Sequence, residues 1–434
     1  MSVRWGRSLM RAALGILALV LSVIGVPAPA FELSDQCPPS FEKLSNGLCQ
    51  LRSLYDFYDS PAQHGGVKAK LPPMPAAYTA EQIDLGRFLF FDPILSVNRD
   101  MSCASCHQPD KGLSDGRKTS LGARTIGVNS REAKAPVTER KELTRATPSL
   151  WNVGFLKRFM WDGRADSLTE QALLPLLSED EMGNTRDGVV AAVNSSQQYQ
   201  ALFAKAFQES DGRELEDKTL KGNALKNNAL ENTTRANQVT LENIALALGA
   251  FQTTLVSLNS RYDRYAHGDD AALSDQEIRG YNAFRGFVGR CSQCHVPPLF
   301  TDSEVAVIGA PAASNGFVDE GAGLHSDDPF VRGGFRVPTL RNVALTAPYF
   351  HNGELADLSE VVDFYNNTRG HRAPESQPLN IHWHVHMTDG PKLSAQNTKD
   401  IVAFLSSLND ETMMPQVPDQ VPSGLPVLTT IRSE

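Results

Sequence analysis

Basic residues are scarce where a nucleic-acid partner would need them. The 434-residue chain carries 41 Lys and Arg against 50 Asp and Glu, a formal charge of -9. No basic tract interleaves with aromatics, so nucleic acid is excluded as a partner class. Long apolar runs are equally scarce. Beyond residue 30 none reaches the roughly 20 residues that span a bilayer, and no membrane span is expected there. Cysteine is sparse too: six in 434 residues cannot staple a chain of this length as small disulfide scaffolds are stapled. What is plentiful is ordinary core material, 41% hydrophobic against 21% charged residues. That composition excludes wholesale disorder, and the length points to two or three domains.

Arg4, Arg7 and Arg11 precede an apolar run from Ala12 to Val26, with small residues at Ala28 and Ala30. This is the pattern of a secretory signal peptide over residues 1–30, cleaved after Ala30. The run is short for a membrane anchor. A periplasmic protein is therefore expected. Because the leader holds three Arg and no acid, the exported chain is more acidic still, which suits a neutral or basic protein partner.

Four of the six cysteines fall in two copies of one pattern, Cys103-Ala104-Ser105-Cys106-His107 and Cys291-Ser292-Gln293-Cys294-His295. C-x-x-C-H is the c-type haem attachment sequence: the thiols add across the porphyrin vinyl groups and the His gives its imidazole to iron. A zinc site would want four ligands where each motif offers three. A thioredoxin-like pair would sit at a strand-to-helix junction. Two copies in an exported chain point to two covalently bound haems. Cys37 and Cys49 remain as a disulfide closing a short loop, contributing on the order of 2–3 kcal/mol.

The surroundings of the two motifs match, which suggests duplication. Thr79-Ala80-Glu81-Gln82 and Ser274-Asp275-Gln276-Glu277 are capping boxes, each opening an amphipathic helix that leads into a C-x-x-C-H. Further helices are expected over Leu241–Leu258, Asp357–Asn366 and Thr398–Leu408. Strand-like alternation is rare. The fold expected is mainly α, two cytochrome-c-like haem domains with long loops. The segments read as an N-terminal extension (31–75), a first haem domain (76–260), a second (261–414) and a Pro-rich tail (415–434). The loops Lys111–Thr144 and Asp302–Arg336 are long enough to shape a site, and Glu216–Asn237 reads as a polar insertion.

After His107 no histidine occurs until His267, and only Met160 and Met182 intervene as thioethers. The first iron is therefore expected to keep an open position for peroxide; a ligand from Met160, Met182 or the other half is the alternative. Near it in sequence come Trp161-Asp162-Gly163-Arg164, Gln171 and Glu181. A carboxylate over the iron can carry a proton between the peroxide oxygens.

These stretches resemble the bacterial di-haem cytochrome c peroxidases, and within them the MauG/MbnH branch, over roughly residues 75–410. The resemblance is carried by Phe90-Phe91-Asp92-Pro93, Met101-Ser102, Trp161-Asp162-Gly163-Arg164, Gln171 with Glu181, and Thr254-Leu255-Val256-Ser257. It continues through Phe335 to Ala344 and Leu345 to Gly353. It implies that Glu181 is the distal acid–base residue, Gln171 an amide of the same pocket, and Trp161 the electron route between haems. It implies also that the carbonyls of Thr346 and Pro348 hold a calcium ion, which hard oxygen ligands suit. Ala146 stands where relatives commonly carry Asn. The distal His of many relatives is missing after the first motif, so no reductive activation is expected.

Where the peroxidases carry a methionine ligand to the second haem, this chain has Tyr365, as MauG-type proteins do. A thioether favours Fe(II); an anionic phenolate favours higher oxidation states. The alternative is a core tyrosine with His382, His384, His386 or Met387 as ligand. The resemblance implies an enzyme that uses hydrogen peroxide to form a high-valent two-iron state and oxidises Trp or Tyr residues of a second exported protein. Peroxide reduction with electrons from a small cytochrome or cupredoxin is the alternative, and a di-haem electron carrier a third. The absent distal ligand, Gln171 and Glu181 weigh against the third, Tyr365 against the second. The His382–Met387 run is given no role.

Overall fold

Small sheets and helices alternate along the chain. The computed structural model describes residues 31–56, 70–125, 140–208, 238–367, 392–410 and 412–430. The leader, the Glu216–Asn237 insertion and the His382–Met387 run lie outside the described residues. In order, the elements are β1 (Phe41–Lys43), β2 (Leu48–Leu51), β3 (Tyr78–Thr79), α1 (Ala80–Phe91), α2 (Cys103–Cys106), β4 (Leu121–Thr125) and β5 (Arg140–Glu142). Then come α3 (Leu168–Leu177), α4 (Arg186–Asn194), α5 (Gln197–Ala206), α6 (Leu241–Thr253), α7 (Arg261–Ala266) and α8 (Asp275–Arg285). The last are β6 (Val305–Ala306), β7 (Phe335–Arg336), α9 (Leu358–Asn367) and α10 (Ala395–Ser406). The protein is mostly helical.

Both capping boxes form. Thr79 accepts from the Gln82 amide and Gln82 reaches back at α1; Ser274 and Glu277 do the same at α8. Each helix then crosses a later one at a glycine. A Cβ on Gly86 would lie 1.8 Å from the Ala247 carbonyl oxygen of α6, and one on Gly280 1.9 Å from that of Asp400 in α10. The aromatic neighbours repeat as well: Phe90 packs on Phe251 at 5.1 Å between ring centroids, and Phe284 on Phe404 at 5.3 Å. Backbones this close leave no room for a methyl group. Gly86→Ala or Gly280→Ala is expected to destabilise the fold by about 3 kcal/mol through overpacking. Thermal denaturation of each variant measures it, and an unchanged midpoint would contradict the crossing.

The repeat continues beyond the helices. Asn152, Met160 and Gly163 adopt left-handed backbone (φ 59°, 66° and 70°), and so do Asn342, Phe350 and Gly353 (58°, 71° and 61°). Isolated bridges Phe159–Ala165 and Tyr349–Leu355 close the same turn in each half. In that register Trp161 corresponds to His351, α3 to α9, and Pro175 to Tyr365.

The N-terminal segment pairs in the order β1-β2-β3, with the Cys37–Cys49 disulfide beside it. Cys49 packs with Ala80, Ile83 and Ala250, so the staple fastens this sheet to α1 and α6. The tail is not loose. Ser423 donates to Asp92, Ser102 donates to the Leu428 carbonyl, and Val421 and Leu428 are buried.

Two expectations need correction. The helix expected to reach Leu258 stops at Thr253. Asn152 bonds both backbone groups of Ser257, and Asp410 accepts from the amides of Leu258 and Asn259. These side chains hold the segment outside the helical ladder. The two long loops are not wholly irregular either: β4 pairs with β5 and β6 with β7, antiparallel. Ladders this short carry no readable alternation.

Candidate functional site

Each C-x-x-C-H segment borders a cavity. The first, about 410 Å³, is lined by Cys103, Cys106 and His107, by Gln171 and Pro175 of α3, and by Glu181, Arg164 and Trp161. The second, about 240 Å³, is lined by Cys291, Cys294, His295, Tyr365 of α9, His351, Thr346 and Pro348.

The two proximal histidines are oriented alike. His107 Nδ1 lies 3.0 Å from the Leu113 carbonyl, and His295 Nδ1 lies 3.1 Å from Phe300 O and 3.2 Å from Pro338 O. A carbonyl only accepts, so Nδ1 carries the proton in both rings and Nε2 keeps its lone pair. Burial lowers both imidazole pKa values, which keeps the rings neutral and able to ligate. Burial also pushes the Cys103 thiol up to about 12 and raises that of Cys294.

Glu181 follows α3 on a tight turn. Its amide donates to Ser178 O and its carbonyl accepts from Ala123 of β4, with Gly183 in the left-handed region two residues on. Glu181 Oε2 and Gln171 Oε1 are buried with no hydrogen-bond partner among the described residues. Burial raises the Glu181 pKa; Arg164 opposes the shift and Asp180 adds to it. A buried carboxyl with a raised pKa, in a cavity that also holds an unpaired amide oxygen, suits proton exchange with a small hydrogen-bonding molecule. Gln171 Nε2 lies 3.8 Å from Met160 Sδ.

Pro175 in the first cavity matches Tyr365 in the second. A proline has no side-chain donor atom, so the repeat supplies an aromatic hydroxyl on one side and none on the other. Sequence reading missed this, although the register from Trp161 to His351 carries it. Tyr365 packs among Phe364 and Phe350, with centroids 5.3 and 6.3 Å away. Burial first, and then the Cys291 and Cys294 charges, push its phenol above the usual range. A bound cation would reverse that direction.

Trp161, Ala146 and Arg336 line both cavities and form the partition between them. The Trp161 indole N–H donates to Ala146 O at 2.7 Å, and the Ala146 amide donates to His351 O at 2.7 Å. Arg336 donates its amide to Trp161 O at 2.7 Å. His351 stacks on Phe335 at 3.9 Å; burial lowers its pKa to about 4, so it is neutral. At the wall of the first cavity Arg145 bridges Asp162 and Asp319, both at 2.6 Å, and Arg164 also pairs with Asp162. Sequence reading missed this network, because Asp319 lies in a distant loop.

The residues present fit a c-type haem in each cavity. Each holds two thiols and a neutral imidazole whose Nδ1 proton is already committed. The first adds orphaned buried oxygens where a small ligand would lie, and the second adds a phenol. Thr346 and Pro348 offer carbonyls that accept no hydrogen bond among the described residues. No group of three His, Cys, Asp or Glu gathers for a metal among the described residues. There, too, no helix is long and apolar enough to cross a membrane.

Residues 80–271 match the family model described as di-haem cytochrome c peroxidase. The methylamine utilization protein MauG of Methylorubrum extorquens is 32% identical over 349 residues, covering 78% of this chain and 82% of that one. The cytochrome c551 peroxidase of Nitrosomonas europaea is 32% identical over 292 residues, covering 65% and 72%. The crystal structure of a MauG-like protein associated with microbial copper homeostasis superposes with a TM-score of 0.58 at 27% identity, covering 83% of this chain and 98% of that one. With its paired thiol–imidazole cavities and these relatives, the chain belongs to the di-haem cytochrome c peroxidase family, oxidoreductases that carry two haems.

Proposed function

We propose that this di-haem enzyme uses hydrogen peroxide to oxidise Trp or Tyr residues of a second exported protein. The observation that carries the reading is the asymmetry of the repeat, with Pro175 in one cavity and Tyr365 in the other. Residues 76–260 would hold the peroxide-reactive haem through Cys103, Cys106 and His107. Residues 261–414 would hold the other through Cys291, Cys294, His295 and Tyr365. Bound there, the haems supply the electron chemistry of peroxide cleavage; peroxide takes up two electrons and two protons and leaves as two waters.

The chain's own residues order that chemistry. Glu181 accepts the proton from the nearer peroxide oxygen and returns it to the leaving one. The free oxygen of Gln171 orients the peroxide. Trp161, with its N–H tied to Ala146 O, gives a fixed aromatic bridge between cavities. A calcium ion would be held by the carbonyls of Thr346 and Pro348; Ala146 adds no side-chain oxygen. The leader directs the chain to the periplasm with cleavage after Ala30.

Steady-state assays separate this reading from a peroxidase fed by a small cytochrome or cupredoxin. With peroxide and a reduced cytochrome c, slow turnover is expected, and high turnover would overturn the proposal. The bridge has its own test. Trp161→Phe is expected to leave peroxide uptake intact while slowing delivery to protein Trp or Tyr at least tenfold, about 1.4 kcal/mol of barrier. Rapid-mixing spectroscopy with a Tyr-containing protein substrate measures it, and equal delivery rates would remove Trp161 from the route.

A further inference from the structure

Among the cations bordering the cavities, Arg145 and Arg164 are neutralised by Asp162 and Asp319. Arg336 is different. Its side chain is buried, 4% exposed, and pairs with no carboxylate among the described residues. Nε donates to Met160 O at 3.2 Å and Nη1 to Val337 O at 3.4 Å, a long contact. Nη2 has no partner among the described residues. Desolvation alone lowers its pKa, to about 10. A buried guanidinium held only by two carbonyls is costly, and an anion nearby would compensate it.

Met160 borders the first cavity and Val337 the second, and Arg336 borders both. In c-type attachment the thiols consume the vinyl groups and leave the propionates as free carboxylates. We propose that Arg336 is a shared anion site, its guanidinium binding propionate carboxylates of both haems across the Trp161 partition. Planar guanidinium matches carboxylate geometry in forked pairs. One cation serving both groups couples them: a charge change at one haem is felt at the other through the same residue. The backbone of Arg336 is tied to Trp161 O, so this charge is fixed beside the bridging indole.

The inference rests on a haem occupying each cavity. A haemochrome assay therefore first counts two haems in wild-type and variant proteins; fewer in the wild type would fail that reading rather than this one. Redox titration of the holoprotein then compares Arg336→Met and Arg336→Lys with wild type. Arg336→Met is expected to lower both midpoint potentials, each by at least tenfold in the reduction equilibrium, 59 mV for one electron. Arg336→Lys is expected to recover most of the shift. A shift at one haem only, or at neither, overturns the shared site. Should Arg336→Met fail to mature, resonance Raman of the wild type decides. Propionate bending bands of hydrogen-bonded carboxylates are expected for both haems, and bands of free propionates overturn the proposal.

Discussion

Tyr365→Met is expected to leave peroxide uptake intact and to abolish storage of the oxidising equivalents. The oxidised state produced by one equivalent of peroxide should decay at least a hundredfold faster, roughly 2.7 kcal/mol of lost barrier. Tyr365 lines the second cavity with Cys291, Cys294 and His295. Its buried phenol resists ionisation alone, but a ferric centre would hold it as phenolate. That hard anionic donor stabilises high oxidation states, whereas a thioether stabilises Fe(II). Tyr365→Phe removes the donor without adding a thioether and should shorten the lifetime as well. Stopped-flow absorbance after one equivalent of peroxide reads both variants. Unchanged lifetimes would mean that another residue ligates the second haem.

Glu181→Gln is expected to slow the reaction with peroxide by about 10²- to 10⁴-fold, the usual contribution of a positioned acid–base group. Its pH dependence carries the clearer signature. Burial raises the Glu181 pKa, and the group must be ionised to accept the first proton. The wild-type rate should therefore rise with pH through an acid limb displaced above the ordinary glutamate range. In Glu181→Gln that limb should vanish. Stability runs the other way. A carboxyl whose folded pKa is raised favours the fold below its unfolded pKa and loses that contribution as pH rises through the folded value. Near neutral pH the amide should therefore make the protein slightly more stable, not less. A variant both slow and unstable at neutral pH would point to a structural role for Glu181.

Much of this was legible in the sequence because local rules governed it. The capping boxes at Thr79 and Ser274 need only four residues each, and the C-x-x-C-H motifs five. Gln171 and Glu181 were marked by the family resemblance that their order after Trp161 carries, and the structure brings all three to one cavity. What escaped depends on tertiary approach. Leu241–Leu258 has apolar periodicity to its end, yet Asn152 and Asp410 capture the last residues from remote segments. Arg336 closes what reads as the long loop Asp302–Arg336, and nothing local reveals a buried Arg336 bordering both cavities. Pro175 gains its meaning only from the structural repeat, which aligns it with Tyr365. The aromatic cluster around Phe404 and the fully buried Arg341–Asp263 pair likewise join residues far apart in sequence.

If one cavity presents an open position and the other a tyrosine ligand, the two sites should respond to peroxide as one oxidising unit. Electron paramagnetic resonance of the resting ferric protein, before and after one equivalent of peroxide, tests this most directly. One high-spin and one low-spin signal are expected at rest, with both diminished together by the single equivalent. Two low-spin signals that persist after peroxide would contradict it.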